Sequence, residues 1–414
     1  MKKFLFILGM ILVFPVSIFA GSFSDLEKLG TDPTIRILLY EGKSNQTIVI
    51  PSLSSLKNHW LKKNIQTTQE ITIKLDNEKI NLNFGGYSLQ IPDSVFIEIP
   101  KDLTFTLNKK EYRGSFIIIK SENGFQIINY IELERYLLSV ISAEIGIGRK
   151  STDFEAVKCQ SIAARTFTVD KMIHKKSDYK NYDILANTFD QVYEGVRSES
   201  PNYSVSIAET RGMVGIYKEA LIQGLYHSTC GGQTENSESI WGGKRFDYLT
   251  SVYCGDGKNN FCSISPYFNW ERELKINGRT HQIKNNLLKR LKPESVESFF
   301  SVNSIDSIYI SERDSSGRVS MLSLKNRNGI FQINGDYIRW AFADENQNIL
   351  PSNWFSMIPK YENGKIQSLT FKGRGFGHGL GMCQWGAIGM SRLGYNFEQI
   401  FKFYYRGSQI LKIY

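Results

Sequence analysis

The sequence predicts an α+β fold in which a β-rich body carries a helical segment and inserted β-rich regions. Tyr and Phe are abundant, with 21 and 26 residues against 6 Trp, and aromatic residues favour strands. Residues 65–130 alternate apolar and polar side chains, and the apolar spacing becomes helical from Glu132. Strand-like and helix-like stretches then interleave without a repeat or a low-complexity linker, which favours one body with insertions over separate domains.

The first twenty residues have the pattern of a secretory signal peptide. Lys2 and Lys3 precede the apolar run from Phe4 to Phe14, and the small residue Ala20 offers a cleavage point. The run is short for a bilayer span of about 20 residues, although an uncleaved anchor stays open as an alternative. We therefore expect residues 1–20 to be removed and the protein to be exported to the periplasm or cell envelope.

The charge is moderately basic. The formal net charge is +9, and it falls to +7 when the two lysines of the leader are removed. Such a surplus suits an anionic envelope polymer or a membrane surface, and a merely solvated basic surface explains it equally well. Nucleic acid is disfavoured as a partner, because the protein carries an export signal and no concentrated basic run.

Short strands dominate the region 21–104, which we predict to be an N-terminal β-rich region, and they continue to about residue 130. They alternate apolar and polar residues and are separated by Asn, Asp, Lys and Gly. The predicted strands are 35–40, 70–75, 94–99, 103–107 and 114–119.

Two helices are predicted next. The first has an apolar stripe formed by Leu133, Leu137, Val140 and Ile141, and it ends near Glu144, before a glycine-bearing loop. The second opens at a capping-box pattern over 152–155. One face of this second helix is predicted to carry Phe154, Val157, Ser161, Ala164, Arg165 and Thr168.

The remainder returns to strands, at 213–217 and 221–226, with an insertion at about 270–350. That insertion is predicted to hold an amphipathic helix around 287–291 and a strand set over 305–335 with a turn at 315–317.

Glu144 is the first candidate for chemistry. It is the only acid between Glu134 and Asp153, and its neighbours include Ala143 and Ile145. Burial among apolar side chains raises the pKa of a carboxyl group, as a general acid at neutral pH requires. A glutamate at a helix end is also commonly a solvated surface group, so both interpretations stay open at this point.

A glycine run is the second candidate. Glycines occupy every second position from Gly373 to Gly381, and His378 and Gln384 add polar groups. Alternate glycines clear one face of an extended segment for a ligand or for another backbone, so a tightly packed β core explains the run as well. The spacing does not match a dinucleotide-binding loop.

The third candidate is a cysteine-rich patch. His227 and Cys230 are followed by Cys254 and Cys262, a set with the composition of a closed Cys3His zinc site. Their spacing is not that of a standard zinc finger, and in an exported protein a Cys254–Cys262 disulfide competes with zinc. The two remaining cysteines, Cys159 and Cys383, are expected to be buried free thiols.

Together these segments resemble the stage II sporulation protein D and amidase-enhancer family. The resemblance covers roughly 105–410 and is carried by ordered motifs, with weaker support over 22–100. The matching stretches are 131–137 running into Ala143-Glu144, 156–166, 190–195, 227–235 with Trp241 and 248–249, and 373–389 running to Tyr404-Tyr405.

The resemblance implies that 105–414 is a catalytic region and that the helical segment carries a lytic transglycosylase site. Such enzymes cut peptidoglycan between N-acetylmuramic acid and N-acetylglucosamine and leave 1,6-anhydro ends. Glu144 matches the family's proposed acid, although Ile145-Gly146 replaces the common Met-Pro after it. The expected glycan-binding residues are Gln160, Arg165, Tyr193, Ser228, Thr229, His378 and Gln384.

Two further expectations concern partners, as the resemblance implies, and a metal ion, as the placement of the cysteines in this chain indicates. The alternative to an enzyme is a non-catalytic, wall-binding activator of a peptidoglycan amidase, so an amidase is a candidate partner beside the glycan strands. Zinc at His227, Cys230, Cys254 and Cys262 is expected to be structural, and the chemistry itself requires no cofactor.

Overall fold

The computed structural model describes residues 26, 29–57, 62–146, 149–174, 181–240, 243, 245–335 and 337–414. The signal peptide predicted at 1–20 lies outside these residues. Among the residues described, no helix is long and apolar enough to cross a bilayer.

About 37% of the chain is strand and 25% is helix, so the predicted α+β, β-rich fold class is confirmed. The strands are β1 Thr34–Gly42, β2 Gln46–Ile50, β3 Ser55–Lys57, β4 Lys62–Asn64, β5 Gln69–Asp76, β6 Lys79–Phe84, β7 Tyr87–Ile91, β8 Ser94–Glu98, β9 Thr104–Leu107, β10 Lys110–Arg113, β11 Ser115–Ser121, β12 Gly124–Glu132, β13 Ile184–Leu185, β14 Met213–Tyr217, β15 Ala220–Leu221, β16 Tyr226–His227, β17 Asn269–Lys275, β18 Ser307–Arg313, β19 Val319–Asn326, β20 Gly329–Asn334, β21 Phe355–Glu362, β22 Lys365–Arg374, β23 Met382–Cys383 and β24 Gln409–Lys412. The α-helices are α1 Leu133–Ile145, α2 Phe154–His174, α3 Ser204–Glu209, α4 Ser237–Ile240, α5 Thr280–Leu288, α6 Pro293–Phe299, α7 Tyr337–Ala341, α8 Gln384–Arg392 and α9 Phe397–Tyr404.

The chain divides into two compact units. The N-terminal unit comprises the described residues as far as Gly224 together with Ser408–Tyr414, and the C-terminal unit is Leu225–Gly407. The predicted boundary at residue 104 falls inside the N-terminal unit, where β9 pairs with β2, and it stays a prediction about domain organisation.

Two sheets build most of the N-terminal unit. One has the strand order β13-β1-β12-β11-β8-β3-β4 and the other β10-β9-β2-β5-β6-β7. Their strands alternate buried isoleucines with exposed polar residues, because successive side chains of a strand point to opposite faces. A third, small sheet pairs β14 with β15 and with the C-terminal strand β24.

Helices α1 and α2 follow β12 directly and contact each other. The predicted one-sided face of α2 is not observed: α2 is buried around most of its circumference, with Ala156, Val157, Gln160, Ala163 and Arg165 all fully buried. The predicted capping box is also replaced, since residues 151–153 form a turn of 3-10 helix before α2 begins at Phe154.

The C-terminal unit contains two three-stranded sheets, β17-β22-β21 and β18-β19-β20, and the short parallel pair β16–β23. Helices α5, α6 and α7 pack with these two sheets around one hydrophobic cluster that includes Leu287, Val296, Leu322, Ile338 and Phe371. A helix and a strand set are present where they were predicted, at Thr280–Leu288 and within Ser307–Asn334. The insertion at about 270–350 stays a prediction, and the cluster extends past residue 350 to include the hairpin of β21 and β22.

Candidate functional site

Glu144 lies in the last turn of α1, where the sequence placed it. Gly146 ends the helix with a φ of 90°, a conformation that glycine adopts without strain. The guanidinium group of Arg149 donates hydrogen bonds of 2.8 and 2.6 Å to the Ile145 carbonyl, and the Tyr203 hydroxyl donates one of 2.6 Å to the Gly146 carbonyl. These bonds hold the helix end that carries Glu144.

The Glu144 carboxyl group is largely withdrawn from water. The backbone N–H of Val192 donates a 2.9 Å hydrogen bond to its Oε1, and in the described part of the chain this is its one hydrogen bond. Burial raises the pKa of Glu144, and the Val192 hydrogen bond lowers it by less, so the net shift is upward. A raised pKa favours the protonated carboxyl group that a general acid needs.

The segment 190–195 positions the Val192 amide. The side-chain oxygen of Gln191 accepts hydrogen bonds of 2.9 Å from Tyr136 on α1 and from Thr168 on α2, and its amide donates to the Ala164 carbonyl at 3.2 Å. The segment 190–195 was recognised in the sequence as a matching stretch, but no role was predicted for Gln191. Its place in that stretch was the signal that could have identified it.

Tyr193 lies inside the N-terminal unit and is 3% exposed. Its hydroxyl donates a 3.0 Å hydrogen bond to Asn129, and its ring packs against Tyr112 and Tyr136. The Tyr193 ring therefore packs against α1, the helix that carries Glu144. As the unit stands, Tyr193 presents no surface to a ligand, in contrast to the groove position expected from the sequence.

Two further expected groove residues are also fully buried: Gln160 and Arg165 are both 0% exposed. Arg165 forms a bidentate ion pair with Glu134, at 2.8 Å for each bond, and Tyr414 donates a 2.7 Å hydrogen bond to the same carboxyl group. Burial alone would raise the pKa of Glu134, but these partners outweigh it and the pKa is lowered. Arg165 thus joins α2 to α1, the alternative role of holding the Glu144 element that the sequence also allowed.

In the C-terminal unit the glycine run packs directly on the segment 225–231. A Cβ on Gly375, Gly377 or Gly381 would lie 2.7 Å from the Thr229 carbonyl oxygen, 2.8 Å from the His227 Cβ and 2.1 Å from the Leu225 carbonyl oxygen respectively. All three glycines also have positive φ angles. The close approach needed here is therefore between two stretches of this chain, as the packing interpretation of the run predicted.

This contact brings the remaining expected groove residues into one neighbourhood. The Ser228 carbonyl accepts a 3.0 Å hydrogen bond from the Trp385 N–H, next to Gln384 at the start of α8. Thr229 is buried and its hydroxyl bonds that of Ser265 at 2.6 Å. His378 is half-buried and its Nε2 donates to the Tyr226 carbonyl at 3.1 Å. Of these four residues, Thr229 and Gln384 are buried, while Ser228 and His378 are partly open to solvent.

Four buried cysteines meet beside this neighbourhood. The sulfurs of Cys230, Cys254, Cys262 and Cys383 all lie within 4.8 Å of one another, and those of Cys230 and Cys262 are 3.5 Å apart. A tetrahedral site with zinc–sulfur bonds of about 2.3 Å separates its sulfurs by about 3.8 Å, so the spacing fits a metal ion. All five cysteines of the chain are free thiols in the structure, including the pair Cys254 and Cys262.

The fourth member differs from the expected ligand set, because Cys383 completes the cluster in place of His227. The pairing of β16 with β23 sets His227 beside Cys383. The Nδ1 of His227 donates a 3.0 Å hydrogen bond to the Leu380 carbonyl, and its ring lies against that of His378. The signal that could have found Cys383 was its place in the stretch 373–389, which the resemblance had already singled out.

Backbone amides support the cysteine cluster. The N–H groups of Cys230 and Gly386 donate to the Cys383 sulfur at 3.2 and 3.3 Å, and that of Gly232 donates to the Cys230 sulfur at 3.4 Å. Gly386 has no room for a side chain, since a Cβ there would lie 2.6 Å from the Cys254 sulfur. The cluster can therefore bind a metal ion with four sulfurs and leave no open position for a water molecule.

Two family models match parts of the chain. Residues 121–217, which include Glu144 and Val192, match the family described as Stage II sporulation protein, SpoIID. Residues 255–381 match a domain of unknown function, DUF8618.

Three relatives show how far the similarity extends. An uncharacterized protein of Brachyspira hyodysenteriae is 29% identical over 387 residues, which is 91% of this chain and 92% of the relative. Stage II sporulation protein D of Bacillus subtilis is 26% identical over 69% of this chain and 76% of the relative. The amidase enhancer of Bacillus subtilis is 26% identical over 63% of this chain but only 38% of its own length. The match at residues 121–217 and these relatives confirm the predicted resemblance to the family of stage II sporulation protein D and the amidase enhancer.

Proposed function

We propose that this protein is an exported peptidoglycan lytic transglycosylase with Glu144 as its single catalytic acid and base. The observation that carries the proposal is the Glu144 carboxyl group itself, which is withdrawn from water, raised in pKa and held through one oxygen by the Val192 amide. A role in the cell wall is supported by the names of the relatives, stage II sporulation protein D and amidase enhancer. Export is supported by the pattern of residues 1–20.

In the proposed reaction protonated Glu144 donates its proton to the glycosidic oxygen, and the bond from that oxygen to C1 of N-acetylmuramic acid breaks. The Glu144 carboxylate then accepts the proton of the muramic 6-hydroxyl, whose oxygen bonds to C1 and forms the 1,6-anhydro ring. The proton is returned to Glu144 and no water is consumed. One group can therefore perform both steps, whereas hydrolytic glycosidases generally use two carboxyl groups. Such acid–base catalysis contributes about 10²–10⁴-fold in rate.

The test compares the wild-type protein with Glu144→Gln on intact and on peptide-stripped glycan strands, and mass spectrometry detects anhydro ends. Glutamine keeps the size and an oxygen for the Val192 amide but carries no titrating proton, so anhydro products should disappear. Glu122→Gln is the matched control, because Glu122 is exposed and its side chain makes no hydrogen bond or ion pair with the described residues. Undiminished product formation by Glu144→Gln would reject the assignment.

The alternative is a non-catalytic activator of a wall amidase, and it is favoured by the relative named amidase enhancer. The two functions separate in one assay. If the protein is an activator, the wild type and Glu144→Gln should stimulate an added amidase equally, and neither should release anhydro ends.

We further propose that Cys230, Cys254, Cys262 and Cys383 hold one structural zinc ion. Four mutually close, buried sulfurs support it, because they would close a tetrahedral site. When bound, zinc would contribute to folding and not to the reaction. Elemental analysis of the purified protein with thiol counting tests it: one zinc per chain supports the proposal, and metal-free protein with a Cys254–Cys262 disulfide rejects it.

A further inference from the structure

A cleft of about 740 Å³ opens in the C-terminal unit, on the sheet β17-β22-β21 and the turn before β19. Its walls include two tryptophans and charged side chains that no step of the proposed reaction uses. The lining residues needed for the argument are Trp270, Glu271, Arg313, Trp354, Lys372 and Arg374. The volume lies in the range of sites that bind small molecules.

Two guanidinium groups in the cleft have no carboxylate partner among the residues that the structure describes. Arg313 donates hydrogen bonds of 2.9 Å to the carbonyls of Gly317 and Phe355, which fix its plane and leave further N–H groups unused. The guanidinium of Arg374 lies 4.6 Å from the centre of the Trp354 ring, and among the described residues its side chain makes no hydrogen bond or ion pair. Guanidinium groups bind planar carboxylates through two parallel hydrogen bonds.

The other charges in the cleft leave a positive surplus. Lys372 and Glu271 form an ion pair with each other at 3.3 Å and so compensate one another. The charges of Arg313 and Arg374 are then left over. An anionic ligand is therefore favoured.

The indole of Trp270 supplies another donor. Its N–H is buried and has no hydrogen-bond partner in the described part of the chain. The ring covers Gly373 on the neighbouring strand, where a Cβ would lie 2.3 Å from the ring, so any side chain at 373 would displace the wall of the cleft. A buried donor without a partner is costly, and a ligand oxygen could satisfy it.

Two exposed aromatic residues lie close along the chain to residues that line the cleft: Phe376 is two positions after Arg374, and Tyr267 is two positions before Asn269. Tyr267 is 46% exposed and Phe376 is 37% exposed, and their ring centres are 4.8 Å apart. The Gly375 N–H donates to the Tyr267 carbonyl at 3.0 Å, which sets this ring pair immediately beside Arg374. Exposed rings beside fixed hydrogen-bond donors suit a sugar, whose C–H face packs on the rings while its polar groups meet the donors.

We propose that this cleft binds a carboxylate-bearing sugar of an acidic glycan strand. Arg313 and Arg374 hold the carboxylate, and the Tyr267–Phe376 pair packs against the neighbouring sugar. The choice of N-acetylmuramic acid as that sugar rests on the proposed function. The cleft would then bind peptide-stripped strands through the lactyl carboxylate, which is free only where the stem peptide has been removed and which chitin lacks.

The experiment titrates binding by tryptophan fluorescence and calorimetry in the full mature chain carrying Glu144→Gln, so that no ligand is cleaved. The probes are the disaccharide of N-acetylglucosamine and N-acetylmuramic acid, di-N-acetylchitobiose, which lacks the carboxylate, and inorganic phosphate. The muramic disaccharide should bind at least about tenfold more tightly than chitobiose, the size of a charge-assisted hydrogen bond. Equal binding of the two sugars, or phosphate binding as tightly as the muramic disaccharide, overturns the proposal.

Variants locate the binding. Arg374→Gln should weaken the muramic disaccharide about tenfold and leave chitobiose unchanged, while Phe376→Ala should weaken both sugars. Lys365→Gln is the matched control, since Lys365 is exposed on the same strand but does not line the cleft. Unchanged affinity in Arg374→Gln refutes the assignment. Because binding is measured without turnover, failure of the lyase proposal would leave this result interpretable.

Discussion

Glu144 is subject to two opposing influences on its charge. Withdrawal from water favours the neutral carboxylic acid, while the Val192 amide favours the carboxylate, and the first effect is the larger. A group poised in this way can release a proton and then take one up, because neither state is strongly trapped. Because burial disfavours the charge, ionisation of Glu144 at neutral pH lowers the stability of the folded protein.

The stability of Glu144→Gln relative to wild type should therefore depend on pH. The folded pKa is raised above the unfolded one, so wild-type stability falls as pH rises from the unfolded pKa through the folded pKa. Glutamine does not titrate, and we expect the Tm of Glu144→Gln to exceed that of wild type at pH 7. The difference in Tm should vanish near pH 4, where residue 144 is neutral in both the wild type and the variant. Thermal unfolding followed by circular dichroism measures it, and a gap that is the same at both pH values would contradict the raised pKa.

Single residues also show where sequence reasoning ends. The isolation of Glu144 among apolar neighbours predicted its environment, since its covalent neighbours are part of that environment. The sequence also predicted glycan contacts for Gln160, Arg165 and Tyr193, yet all three are buried. Their exposure depends on what packs around α2 and behind the segment 190–195, and those partners come from strands and loops distant in the chain.

At the scale of elements, the segment 190–195 connects both helices to the candidate catalytic carboxyl group. Gln191→Leu keeps the volume and removes the bonds to Tyr136, Thr168 and Ala164. A buried group left without its partner costs about 1–3 kcal/mol, and the Val192 amide loses its support. We expect a lower Tm and a fall in kcat of about tenfold or more with little change in KM.

The control for Gln191→Leu is Arg197→Ala, because Arg197 is exposed and makes no bond in the described residues. A kcat as high as wild type in Gln191→Leu, in protein shown to be folded, would mean that the segment does not position Glu144.

The turn between β18 and β19 has a comparable role in the C-terminal unit. Arg318 donates to the carbonyls of Cys230 and Gln233 at 2.9 and 2.7 Å, and it lies 3.6 Å from the buried carboxyl group of Glu235. Burial raises the pKa of Glu235 to about 7, and Arg318 acts against this rise. The Arg318 guanidinium group thus fixes the loop that bears Cys230, the first cysteine of the cluster.

Removal of that guanidinium should be costly. Arg318→Met leaves the Cys230 and Gln233 carbonyls without that donor and Glu235 without its cationic partner, and breaking a buried ion pair costs about 3–5 kcal/mol. We expect a Tm well below that of Arg327→Met, a control in the same region whose arginine is exposed and unbonded in the described residues. Equal melting temperatures in a thermal scan would show that Arg318 is dispensable.

At the scale of the whole molecule, the elements were more predictable than their association. The strand predicted at 70–75 lies within β5, and the one at 213–217 coincides with β14, because alternation and turn residues are local signals. The stretch predicted as one strand at 221–226 is instead divided between β15 and β16, which join different sheets. Its hydrogen-bond partners, β14 and β23, are set by tertiary pairing that no local pattern encodes.

The cysteine cluster shows the same limit and allows the sharpest test. The sequence grouped Cys230, Cys254 and Cys262 by nearness along the chain and added His227, whereas the structure brings Cys383 from more than a hundred residues away. If zinc is held by four sulfurs, Cys383→Ser should lose the metal and lower the Tm, and His227→Gln should keep one zinc per chain. Because thiolates must form for binding, zinc should also be lost from wild type as the pH is lowered, and faster with a chelator present. Zinc retained in Cys383→Ser but lost in His227→Gln would restore the ligand set expected from the sequence. Elemental analysis of both variants, with hydrogen exchange over 225–267 to locate the loosened region, decides between the two ligand sets.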